Sequence, residues 1–275
     1  MKFIRILLVS LLLIVTIGVV AKPTEAQLFP SYVSGITIQN LSSTAANVQV
    51  SYYSGGSATP VLTTTDSILP FALKDFAAVP VTAPFKGSVV ISSDQPVGAV
   101  STLRGDNKGR GAYVGSTAGS TSVAVPFIMK NWGRSGWNTY FSVQNVGSGD
   151  ATVKVDYAAC PNPVDTQAVI KPNNMYVFTQ SNEACLGAKS LTSARITSDQ
   201  PVVLVSSQES TVVNSSLVSN GFTVGSNKPV IPLVNSNNPN TTGWRTAISL
   251  FNMGTVATNV TLQYVSTTGV TCSET

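Results

Sequence analysis

Along residues 141 to 157, FSVQNVGSGDATVKVDY, the side chains Phe141, Val143, Val153, Val155 and Tyr157 share one parity, and Ser142, Thr152, Lys154 and Asp156 share the other. Alternation with a period of two marks an extended strand with one buried and one wet face. The scheme recurs at Ile36, Ile38, Val48, Val50 and Tyr52 against Thr37, Asn47, Gln49 and Ser51, and again at Ile248, Leu250, Val260, Leu262 and Tyr264. Between the two halves of each copy lie NLSSTA, NVGSGD and NMGTVA, rich in residues that tolerate turn geometry. Each copy is therefore expected to open with two short strands joined by a turn. A single Asn (Asn40, Asn145, Asn252) stands at the turn, and a single Tyr (Tyr52, Tyr157, Tyr264) follows twelve positions later.

Downstream, ISSDQPVGAV at Ile91 matches ITSDQPVVLV at Ile196, a displacement of 105 residues. Asp and Pro at its centre predict a turn or strand break with an apolar strand on either side. ILPFALKDF from Ile68 and IKPNNMYVF from Ile170 share Ile, Pro and Phe in register, with small loop insertions absorbing the difference in spacing. VPFIMKN at Val125 and IPLVNSN at Ile231 read as joints, each followed shortly by a Gly-Trp pair, Gly136-Trp137 and Gly243-Trp244. A unit of this length is too long for a solenoid coil and suits a two-sheet sandwich. The expected fold is all-β: tandem antiparallel sandwiches over 27–130 and 131–235, and a partial third over 236–275. A third copy that stops after its second strand would leave an apolar face and a strand edge open, so the sequence reads as a fragment of a longer protein.

The first residues follow a different pattern. Lys2 and Arg5 precede an apolar run from Ile6 to Val20 and then AKPTEAQ, the order of a secretory signal peptide over residues 1–26. Cleavage is expected after Ala26, with Ala21 as the alternative, and no Cys stands beside either site to accept a lipid. The mature chain, about 250 residues, suffices for two ordinary domains and part of another. It is expected to be secreted or displayed at the cell surface, without membrane insertion once the leader is removed.

Composition agrees with that compartment. Charged residues make up 10% of the chain, and its formal net charge is +4. An uncharged, β-branched, Ser/Thr-rich surface suits extracellular sheet. No basic stripe of the kind a nucleic-acid binder carries is visible. Cys160 and Cys185 are expected to pair, closing a loop that constrains the unfolded chain by about 3 kcal/mol. Cys272 occupies the corresponding segment of the third copy and is left unpaired; its partner would lie beyond Thr275, or it is a free thiol or an intermolecular bridge.

Residues able to support chemistry are few. The chain contains no His, so the commonest general base and transition-metal ligand is missing. Asp94 and Asp199 recur within SDQPV, where an Asp most often accepts backbone N–H groups; calcium binding or catalysis is the alternative. No closely spaced set of oxygen ligands points to a metal cage, and no acid, base and nucleophile converge, so neither catalytic residues nor cofactors are expected. Arg104-Gly105-Asp106, in the Gly-rich stretch LRGDNKGRGAY, resembles the tripeptide that integrins recognise; a flexible loop is the plainer reading. Asn-x-Ser/Thr sequons occur at Asn40, Asn214, Asn240 and Asn259, although turn geometry explains Asn40 better, since Asn145 and Asn252 share its place. Trp132, Trp137 and Trp244 lie near the joints, where packing at a seam competes with an aromatic platform for sugars.

The pattern of Phe141 to Tyr157, with its counterparts in the other copies, resembles the Ig-like sandwich repeats of bacterial secreted and cell-surface proteins, among them the group named for cell-adhesion-related domains. That resemblance implies a modular stalk or adhesive surface protein and transfers no catalytic residue. The function expected is therefore non-enzymatic: spacing or attachment at a cell surface, with a surface polymer, a polysaccharide or a neighbouring chain as partner. The alternative is a carbohydrate-binding or accessory array of a larger secreted enzyme.

Overall fold

The structure, a computed structural model, describes residues 32–54, 56–76, 79–105, 109–162, 166–238 and 243–275. The expected leader 1–26 with both cleavage sites, Asp106 and Asn240 lie outside the described residues. The described chain is all-β, its sheets antiparallel throughout, with a single 3-10 turn at Gln180–Asn182.

The first part contains β1 (Tyr32–Asn40), β2 (Ala46–Tyr53), β3 (Leu62–Ile68), β4 (Leu73–Phe76), β5 (Ser88–Ser93), β6 (Val97–Gly105) and β7 (Arg110–Val114). They form a four-stranded sheet, β4-β1-β6-β7, and a three-stranded sheet, β3-β2-β5. The inward parity of both sheets meets in one core of Ile36, Ile38, Ala46, Val48, Val50, Tyr52 and Ile68. Ile36, Ile38, Val48, Val50 and Tyr52 are the positions that the alternation selects; Ala46 and Ile68 join them.

The second part contains β8 (Ser120–Lys130), β9 (Asn138–Asn145), β10 (Ala151–Tyr157), β11 (Thr166–Ile170), β12 (Met175–Thr179), β13 (Ser190–Ser210) and β14 (Ser215–Asn220). Its centre is β13. Residues 194–198 of that strand pair with β10, and residues 202–209 pair with β9. One long strand thus does what β5 and β6 do in the first part. The expected break at SDQPV is a true break in the first part, after Ser93, whereas in the second the backbone stays extended and only the pairing partners change. Pro201 lacks an N–H to give the ladder, which suits a position where pairing is handed from one neighbour to another.

The strand β8, which a division at residue 130 places with the first unit, pairs with β13 and delivers Val123, Val125 and Ile128 to the second core. In that core they meet Phe141, Val143, Val153, Val155, Tyr157, Ile196 and Leu204. The joint is therefore a structural strand of the second unit.

The third copy departs from expectation. Its strands are β15 (Ser236–Asn238), β16 (Trp244–Arg245), β17 (Leu262–Val265) and β18 (Thr271–Glu274), paired only as two isolated hairpins. Residues 247–252, expected as a strand, are irregular, and Leu250 and Val260 are exposed. A two-stranded ribbon has little apolar area to bury, and among the described residues these strands pair with no other sheet, although Phe251 lies against the Arg195 guanidinium of β13.

Candidate functional site

The most repeated sequence features meet each other at one end of each unit. Asn145 is fully buried; its side-chain amide donates to the carbonyls of Gly149 (2.7 Å) and Ile170 (2.9 Å), and its Oδ1 accepts the N–H of Gly147 (2.8 Å). Asn40 makes the same set with Thr44, Ile68 and Ser42 at 2.7, 3.0 and 2.8 Å. Even in the third copy Asn252 bonds Val256 and Gly254 in this way, so the turn closes without a core beneath it. The sequon at Asn40 is consequently buried, and its amide nitrogen is engaged.

The SDQPV segment docks on that turn. Pro96 and Pro201 accept the N–H groups of Leu41 and Val146, and Gln95 and Gln200 accept from Ser42 and Gly149. Asp94 accepts the backbone N–H of Asn47 at 2.8 Å, and Asp199 that of Thr152 at 2.7 Å. Both carboxylates take up strand-edge donors, the role expected of turn carboxylates. Among the described residues no three His, Cys, Asp or Glu side chains gather as a metal site requires.

A second cluster was invisible to pattern reading. Glu209, fully buried near the end of β13, accepts hydrogen bonds from the hydroxyls of Tyr140 (2.6 Å) and Tyr32. Tyr140 stands on β9 in the second unit, and Tyr32 opens β1 in the first. Burial foremost, with the facing carboxylate, pushes both phenols well above the ordinary tyrosine value. Elsewhere between the two units, Ser88 donates to the carbonyl of Asn173, Asn174 to that of Ser57, and Asn220 to that of Val114 at 2.9 Å. All four are contacts between the units. Glu209, Tyr140 and Tyr32 stand outside the repeated template, and Asn173 and Asn174 occupy positions of IKPNNMYVF that the first copy does not share.

The remaining candidates fall elsewhere. Arg104 and Gly105 end β6, where Gly105 is buried and donates to the carbonyl of Gly109 at 2.7 Å, so they belong to a strand and not to a flexible loop. Arg104 lies directly opposite Arg110 of β7. Cys160 and Cys185 form a disulfide, and Cys272 is free and exposed. Trp132 and Trp137 face each other across the tight connection from β8 to β9, exchanging both backbone bonds at 2.9 Å, with Trp132 40% exposed. No helix among the described residues is long and apolar enough to cross a membrane.

Neither a family model nor a curated protein matches the chain. Among solved structures, the crystal structure of Thermotoga maritima 1070 is similar at 17% identity, with a TM-score of 0.32, over 38% of this chain and 94% of that one.

Proposed function

We propose that this chain is a non-enzymatic extracellular protein of tandem Ig-like sandwiches that follows a signal peptide and spaces or attaches something at the cell surface. The observation that carries this reading is the seam built on Glu209. A spacer must transmit orientation from one unit to the next, and a buried carboxylate held by a tyrosine from each unit opposes free rotation, since rotation would break the bond from Tyr32. The disulfide adds support, because such bridges persist in oxidising compartments.

The test is to express the chain with its own leader in a secreting bacterium, sequence the mature N-terminus, and divide the product between cytosol, medium and washed cell surface. The expected product begins at Gln27 and is recovered with the cell surface or exported. An uncleaved chain retained in the cytosol overturns the reading.

A further inference from the structure

The outward face of the first unit carries a groove of about 480 Å³ lined by Val33, Gly35, Thr102, Arg104, Arg110 and Ala112, among others. Register explains how it forms. Arg104 faces Arg110 across β6 and β7, Thr102 faces Ala112, and on the other side Val33 and Gly35 of β1 face Arg104 and Thr102. These positions have the parity opposite to the core residues Ile36 and Ile38, so their side chains stand on the wet face. Glycine and alanine keep the floor low while the two guanidinium groups rise from one end.

Two like charges directly opposite each other in an antiparallel pair destabilise it. Among the described residues no ion pair engages either arginine. Such a pair in a concave face fits one ligand chemistry: an anion whose planar or tetrahedral oxygens both guanidinium forks can grip. The groove offers side chains and not a backbone edge. The outer edge of β7 lies beside β14, with Val114 accepting from Asn220, and Gly111 abuts Val218. An acidic peptide adding as a strand at the β7 edge would meet β14 there, whereas sugar rings could lie on the low floor with a carboxylate between the arginines and a hydroxyl on Thr102.

We propose, building on the surface-attachment reading above, that this groove binds an acidic polysaccharide through Arg104 and Arg110. The experiment titrates the full secreted chain against polygalacturonate, dextran and polyglutamate, at about 50 mM and about 300 mM salt, spanning a fall in Debye length from roughly 14 to 6 Å. Binding of polygalacturonate that weakens with salt, no binding of dextran, and a loss of at least about tenfold in the Arg104→Gln/Arg110→Gln double variant are expected. The ligand-free double variant should unfold at an equal or higher temperature, since a repulsion is removed. If it fails to fold, the Arg104→Lys and Arg110→Lys single variants serve instead; they keep the charge and lose the planar fork, and each should bind more weakly. Absence of polygalacturonate binding, undiminished binding by the variants, or equal binding of polyglutamate overturns the proposal. A chain that binds polygalacturonate but is retained in the cytosol sinks the surface reading alone, and an exported, surface-bound chain that ignores polygalacturonate sinks the groove alone.

Discussion

Asp199 accepts the backbone N–H of Thr152 at 2.7 Å, and Asp94 holds Asn47 in the same way in the first unit. The bond joins the point where β13 changes partners to the first residues of β10. It pins the point where pairing passes from β10 to β9 along β13, and in the first unit the point where β5 gives way to β6.

Because this bond is exposed, its loss should be modest. Asp199→Ala is expected to lower stability by about 1 kcal/mol, and Asp199→Asn, which keeps an oxygen acceptor, by less. Equilibrium denaturation of the two variants decides the matter. Equal losses would mean that charge, and not the acceptor, matters at this position.

Asn145 stands in a harsher environment. Asn145→Ala strands buried backbone groups and is expected to cost about 2–4 kcal/mol, while Asn252→Ala, on an exposed turn, should cost under about 1 kcal/mol. Asn145→Asp sets a carboxylate oxygen against the carbonyls of Gly149 and Ile170 and should be worse than Ala at neutral pH. The introduced acid would be pushed above its unfolded value, so its penalty should shrink as pH falls toward about 4. Urea titrations at two pH values test both orderings.

Phe71 adopts a left-handed conformation (φ 56°) in the β3–β4 turn, and Asn173 does the same (φ 63°) in the corresponding β11–β12 turn. Asn tolerates that region and Phe does not, and Phe71 is 64% exposed, with little packing to lose. Phe71→Gly is therefore expected to stabilise the first unit by up to about 1 kcal/mol, read as a raised melting temperature. A lowered one would show that the exposed ring contributes more than its conformation costs.

How much of this was legible follows from the range of each interaction. The inward residues of β1, β2, β9 and β10 were readable because burial imposes a period of two on neighbouring positions, as in Val153, Val155 and Tyr157. The docking of SDQPV on the Asn turn was half legible: both motifs announced themselves by repetition, but nothing in either names the other as its partner. Glu209 and Tyr32 are 177 positions apart and fall outside the template, so no local signal joins them. The apolar pattern of β8 shows that it is buried and not in which core. The third copy shows the converse. Ile248 and Leu250 have the right alternation, yet a strand needs an opposing layer as well as a pattern.

The assignment of β8 can be checked through Ile128, which is fully buried in the second core. Ile128→Ala should cost about 2–5 kcal/mol and lower the transition that reports on the second unit. The fluorescence of Trp132 and Trp137, which flank the connection into β9, provides that report, and Tyr52 environment in the first unit should remain unchanged. Loss confined to the first unit would return β8 to it.

The seam makes a pH prediction of definite sign. Tyr32 and Tyr140 are held above their unfolded value of about 10, so between that value and their folded values the folded state binds more protons than the unfolded one. Their contribution is intact below about pH 10 and is lost as pH rises beyond it. Tyrosinate absorbance should therefore appear together with separation of the units in small-angle scattering. Tyr140→Phe removes one donor to the buried Glu209 carboxylate and should cost about 1–3 kcal/mol at neutral pH, while weakening the alkaline dependence. If Tyr140→Phe matches the parent in stability and the scattering profile is unchanged at pH 11, the cluster does not hold the units together, and their relative orientation must rest on the contacts of Asn173, Asn174 and Asn220 instead.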